Sequence, residues 1–117
     1  MKIALNLRQN DSANPEADRE RAIERDAEAC RRNDWEAKTR LVHAFMPLLT
    51  SLAKKRATET AGINRYIEAG KDGLVAATRH YKPAANGKFQ VFALNYIESE
   101  MDRLSRPGFF ARLFGRS

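Results

Sequence analysis

Apolar residues recur along most of this chain at intervals of three and four, the spacing that gathers side chains onto one face of an α-helix. The densest such run is Trp35, Leu41, Val42, Phe45, Leu48, Leu49 and Leu52, which predicts a helix forming the hydrophobic keel of the molecule. Asn33 and Glu36 stand at its start as a capping pair. Pro47 falls inside it; lacking an amide hydrogen and crowding the preceding turn, it should kink the helix or divide it at Phe45-Met46. Residues 58–62 read as a loop in which Thr60 caps the next helix. Two further stripes follow: Ile63, Ile67, Gly70, Leu74, Ala77 and Tyr81, then Phe89, Ala93, Tyr96, Ile97, Met101 and Leu104, with Phe92 beside the last. Between them Lys82-Pro83 and Asn86-Gly87 mark a short corner.

The ends of the chain are patterned differently. Residues 1–13 alternate weakly from Ile3 to Leu7 and then turn polar, as a flexible N-terminal arm would. At Asn14-Pro15 a charged helix is expected to begin, with Glu16 and Asp18 near its positive end. Its apolar stripe, Ala22, Ile23, Ala27, Ala29 and Cys30, is thin, so it lies on the core but adds little to it. After Arg103, the sequence Leu104-Ser105-Arg106-Pro107-Gly108 is a stop signal. Beyond it Phe109, Phe110, Leu113 and Phe114 share a basic amphipathic tail with Arg112 and Arg116. Burying one such side chain is worth about 1.5–3 kcal/mol, so the tail should pack back on the domain or enter a partner's groove, with a membrane surface the lesser option because one short turn buries too little area. The pattern predicts an all-α fold: a small helical domain of four main helices over residues 14–106, its last three spanning 33–57, 63–81 and 88–105, then a short helical tail over 107–117.

Size and charge narrow the function. The chain has 117 residues, enough for one domain with a modest core. Its net charge of +6 is unevenly placed: residues 1–40 hold nine basic and nine acidic side chains, and the rest hold the other 12 basic and six acidic. The whole excess therefore lies after residue 40, where it would attract a polyanion such as nucleic acid. Lys54-Lys55-Arg56, closing the keel helix, suits equally the negative end of a helix dipole and a phosphate contact. One cysteine, Cys30, leaves no internal disulfide and fits a reducing cytoplasm. No run approaches the roughly 20 apolar residues of a membrane span. His43 and His80 lack metal-ligand spacing and no phosphate loop or nucleophile elbow occurs, so neither a cofactor nor catalysis is expected.

Two segments carry a family resemblance. Tyr66-Ile67-Glu68-Ala69-Gly70-Lys71-Asp72-Gly73-Leu74 resembles DLIQEGNIGL less its leading Asp, and residues 87–97, GKFQVFALNYI, resemble YKFSTYATWWI. Both motifs belong to region 2 of the bacterial sigma-70 family, the part of a sigma factor that holds core RNA polymerase and opens the promoter. No gap is needed between them, and Tyr81 sits where the family has the Phe that ends the first helix. Ile67, Gly70, Gly73, Leu74, Lys88, Phe89, Ala93, Ile97 and Arg103 match directly. Leu41-Val42 to Leu48-Leu49 around Pro47 is similar to LVxxxxPLV, and Asn33-Asp34-Trp35-Glu36-Ala37 to the opening GDxxA.

The resemblance implies a stand-alone sigma region 2 that binds core RNA polymerase and the non-template strand of a minus-ten promoter element. Contact with DNA would fall to Lys88, Phe92, Asn95, Tyr96, Ser99 and Arg103: a base leaving the duplex needs a new flat partner, and Phe92 and Tyr96 are the candidates, while Lys88 and Arg103 meet phosphates. Phe89 is expected in the core. Contact with polymerase would fall to Arg65, Glu68, Ala69, Lys71 and Val75. The family's helix-turn-helix, which reads the upstream element, has no room here, so a second polypeptide would supply it. Two departures keep alternatives open. Asn95-Tyr96 replaces a Trp pair, and Glu98, Glu100 and Asp102 put carboxylates where the family has basic or neutral residues. These motivate a regulator that occupies polymerase or another partner without opening DNA, or a helical protein-interaction module docking through the tail.

Overall fold

Asn14 opens the described part of the chain, residues 14–106 of a computed structural model, as the cap of its first helix. The Asn14 side-chain oxygen accepts from the amides of Glu16 and Ala17, both at 3.1 Å, and Pro15 takes the first helical position, where its missing donor costs nothing. Helix α1 runs Pro15–Arg31, α2 Trp35–Arg56 and α3 Thr60–His80; a single turn, α4, covers Pro83–Asn86, and α5 runs Phe89–Ser105. Helices take up 87% of the described residues, and no strand occurs among them. The expectations for the N-terminal arm and for the tail from Pro107 onward fall outside the described residues.

The corner between α1 and α2 is closed by Asn33, whose φ of 69° is left-handed. Its amide donates to Cys30 O at 2.9 Å and that of Asp34 to Ala29 O at 3.1 Å, the paired bonds that end a helix at a left-handed residue. Asparagine tolerates that conformation better than other residues with a Cβ. Asp34 then accepts from the amide of Ala37 at 3.1 Å. The cap of α2 is therefore Asp34, one residue later than the expected Asn33, because Asn33 is already engaged in ending α1.

Three more expectations change. Pro47 lies inside α2 but does not divide it; Pro47 and His43, whose carbonyl loses its partner, are both exposed, so water can take the missing bond. Thr60 is the first residue of α3 rather than its cap, and the amide of Ile63 donates to Glu59 O at 2.9 Å, so the predicted loop loses its second half to the helix. Trp35 is not part of the keel: it is 73% exposed. Six residues before Leu41, it stands about 120° round the helix from the buried stripe.

The core is built where α3 and α5 lie side by side, with α2 beneath and α1 along the flank. Leu41 and Leu49 of α2, Leu74 of α3, and Phe89, Ile97 and Met101 of α5 are fully buried. Gly73 permits the closest approach of the two long helices. A Cβ there would meet the Tyr96 carbonyl carbon at 2.8 Å and Ile97 Cα at 2.9 Å, so backbone meets backbone. At the far end of this antiparallel pair the Tyr66 hydroxyl bonds Ser105 Oγ at 2.6 Å.

Candidate functional site

The corner between α3 and α5 sets the site. Lys82-Pro83 ends the long helix, α4 makes one turn, and the Asn86 side chain accepts from the Lys82 amide at 2.8 Å. Gly87 follows with φ 72°, a conformation in which a side chain would be strained. Its carbonyl accepts a hydrogen bond from the Tyr81 hydroxyl, which ties the corner to the core. Burial, with the charge of Glu24 in support, pushes the Tyr81 phenol above its usual pKa.

From Tyr81 a continuous set of rings climbs to the surface. Phe45 meets Phe89 edge-on with centroids 6.0 Å apart, and Phe89 meets Tyr81 edge-on at 5.1 Å. Tyr81 then meets Phe92 at 5.5 Å, and Phe92 meets Tyr96 at 5.1 Å, both tilted by just under 50°. His80 ends the series, stacked on Tyr96 at 5.7 Å with only 14° between the planes. Phe45, Phe89 and Tyr81 are buried, Phe92 and Tyr96 half-buried, and His80 exposed. Geometries of this kind are worth about 0.5–1.5 kcal/mol per pair beyond simple burial, so the outer rings are held in place by the inner ones.

Of the polar candidates, Lys88 stands at the N-terminal cap of α5 and the others lie along it. Lys88, Asn95, Ser99 and Arg103 are all exposed. Lys88 reaches across to Glu20 of α1 at 3.3 Å, and Arg103 pairs with Glu100 at 3.6 Å. Asp102 is turned toward α2, where it pairs with Arg56. Two of the three carboxylates of this segment are thus already matched by cations, which lessens the repulsion they would exert on a phosphate chain.

The residues expected to meet polymerase all lie along α3, and four of them border one or other of two hollows. Arg65, Glu68 and Ala69 border a hollow of about 210 Å³ between α3 and α5, together with Asp72, Glu100 and Arg103. This places them beside Arg103, one of the expected DNA contacts. Lys71 bonds Glu68 along the helix at 3.0 Å. Val75 lies elsewhere, half-buried in a hollow at the α1–α2 corner that also takes in Trp35, Lys38, Thr78 and Arg79.

Two side chains escaped the sequence reading. His80 lacks metal-ligand spacing, and its place as a ring over Tyr96 depends on how α3 ends against α5, which no local pattern encodes. Trp35 stands apart from the keel because its phase on the helix separates it from Leu41. Lys38 Nζ sits 4.9 Å from the centre of its indole. Among the described residues no group of His, Cys, Asp or Glu side chains gathers to hold a metal ion, and no helix is long and apolar enough to cross a membrane. No family model, curated protein or solved structure matches the chain.

Proposed function

We propose that the chain is a sigma-region-2-like transcription initiation protein that binds core RNA polymerase and the unpaired non-template strand of a minus-ten element. The observation that carries this is the part of the ring series that reaches the surface at Phe92 and Tyr96. Phe92 rests on Tyr81, which itself meets Phe89, and Tyr96 rests on Phe92, yet neither Phe92 nor Tyr96 is sealed inside the protein. A half-buried ring held by its neighbours is a stacking platform that needs little ordering when a base arrives, and such a stack contributes about 1–3 kcal/mol. Lys88 and Arg103 flank the rings at opposite ends of α5. Their present partners form surface ion pairs, each worth no more than about 1 kcal/mol, so a phosphate can replace a carboxylate at small cost.

A regulator that occupies polymerase without opening DNA is the second reading, and two observations favour it. His80 already lies flat on Tyr96, and Glu68, Asp72 and Glu100 line the hollow beside Arg103. Immobilised core RNA polymerase separates the possibilities. Retention of the chain at physiological salt, with capture of labelled single-stranded minus-ten DNA by the complex, supports the first. Retention without DNA capture supports the second, and no retention removes both.

A further inference from the structure

We propose that the hollow at the α1–α2 corner docks a short acidic peptide of a partner protein, with one apolar side chain against Trp35 and Val75 and carboxylates meeting Lys38 and Arg79. Trp35 is a large apolar group left 73% exposed at the rim of a concavity, rather than on a convex surface. The hollow is about 250 Å³, and Val75 and Thr78 contribute to it from α3. Thr78 is buried and turns its hydroxyl to the Val75 carbonyl at 2.7 Å, so that polar group is already satisfied within the fold. An apolar side chain entering here would cover indole and valine together. Trp and Arg are also residues enriched at interface hot spots, where a central aromatic is desolvated.

Charge chooses the occupant. Arg31, Lys38 and Arg79 border the hollow. Asp34 is the one carboxylate on the same border, and its side chain is committed to capping α2. With Arg31 paired to Glu28, Lys38 and Arg79 still leave the local balance positive, which fits a ligand with carboxylates. A nucleic acid strand suits it less well. Glu28 pairs with Arg31 at 3.7 Å and with Arg32 at 3.0 Å, and residues 1–40 carry no net charge, so the corner lacks the extended basic track that a phosphate chain follows. The chain's own C-terminal sequence is the wrong sign, since Arg106, Arg112 and Arg116 accompany its phenylalanines. The hollow shares Val75 with the expected polymerase contacts, but the rings of Phe92 and Tyr96 take no part in it.

The test uses a displayed library of random peptides selected on the full chain and counter-selected on Trp35→Ala. Enrichment of sequences with an aromatic or long aliphatic residue flanked by Asp or Glu is expected. The synthetic consensus peptide should then shift the emission of Trp35, the only tryptophan, to shorter wavelength in a saturable way. Arg79→Glu should weaken it by about tenfold or more, and Phe92→Ala should leave it unchanged. Trp35 and Arg79 are both exposed, so these variants should keep the fold, which far-ultraviolet circular dichroism checks. Failure to enrich any such sequence, enrichment of basic ones, or an equal response to Arg79→Glu would overturn the proposal. So would a shift of Trp35 emission produced by single-stranded DNA but not by peptide, or by raising the protein concentration alone.

Discussion

Gly73 of α3 lies directly against the backbone of Tyr96 on α5, the residue whose ring stacks on His80. The closest helix contact and the outermost tyrosine are therefore one feature. A methyl group at Gly73 would have to push the Tyr96 and Ile97 backbone away, since no flexible side chain is there to give. Gly70→Ala meets the ends of the Leu49 and Met101 side chains at 2.7 and 2.8 Å, which can swing aside, and Ile97 Cγ2 at 3.4 Å, close to ordinary contact.

Gly73→Ala should therefore destabilise the fold although alanine is the better helix former. Overpacking costs about 1–3 kcal/mol and the propensity gain is about 1 kcal/mol, so a net loss of up to about 2 kcal/mol is expected, toward the upper end because the contact is with backbone. Gly70→Ala should fall within about 1 kcal/mol of the parent. Urea unfolding midpoints, at unchanged slope, measure both. Equal effects at the two sites would contradict the backbone contact.

The α1–α2 corner makes a second prediction. Asn33→Gly should be nearly neutral because glycine adopts the left-handed conformation freely, whereas Asn33→Val should cost about 1–2 kcal/mol. Asp34→Ala should cost about 1 kcal/mol through the lost cap. Thermal melts of the three variants check the order.

These two sites show what the sequence can and cannot disclose. The three long apolar stripes were legible because each keeps one phase over several turns, and Leu41, Leu49, Leu74, Phe89, Ile97 and Met101 are all buried as their spacing implies. The apolar face of α1 was legible too, through Ile23, Ala27 and Cys30. Caps were legible only to within a residue: Asn33 and Asp34 are both good capping residues, and the choice between them turns on a left-handed φ that spacing does not reveal. Phe92 and Tyr96 were legible as neighbours four residues apart on one helix. Their junction with Tyr81 and His80 was not, because it depends on how a chain reversal of several residues sets one helix end beside another.

Tyr81 predicts an alkaline limit to stability. Its phenol is raised above the ordinary value of 10.0 by burial and by Glu24. The unfolded chain therefore releases its proton first as pH rises. The contribution is fully present below pH 10 and is lost as pH climbs from there through the raised folded-state value. Tyr81→Phe should be less stable at neutral pH, having lost the bond to the Gly87 carbonyl, but should show a smaller fall between neutral and strongly alkaline solution. Parallel slopes for the two proteins would contradict the assignment.

Removing a carboxylate beside the rings should favour a polyanion. In Glu100→Gln the 3.6 Å partner of Arg103 loses its charge, which leaves Arg103 more available to a phosphate. Binding of single-stranded DNA should tighten severalfold at low salt and the gain should shrink as salt rises, while stability changes by less than about 1 kcal/mol. A salt titration followed by anisotropy checks this; an unchanged affinity would place Arg103 away from the strand.

The most direct test is the anisotropy of a labelled single-stranded minus-ten oligonucleotide titrated with the full chain bound to core RNA polymerase. The parent protein should bind, and Phe92→Ala and Tyr96→Ala should each weaken binding by about fivefold or more, as the loss of one stacked base requires. Binding that survives both substitutions unchanged would contradict a role for these rings as the platform for an unpaired base.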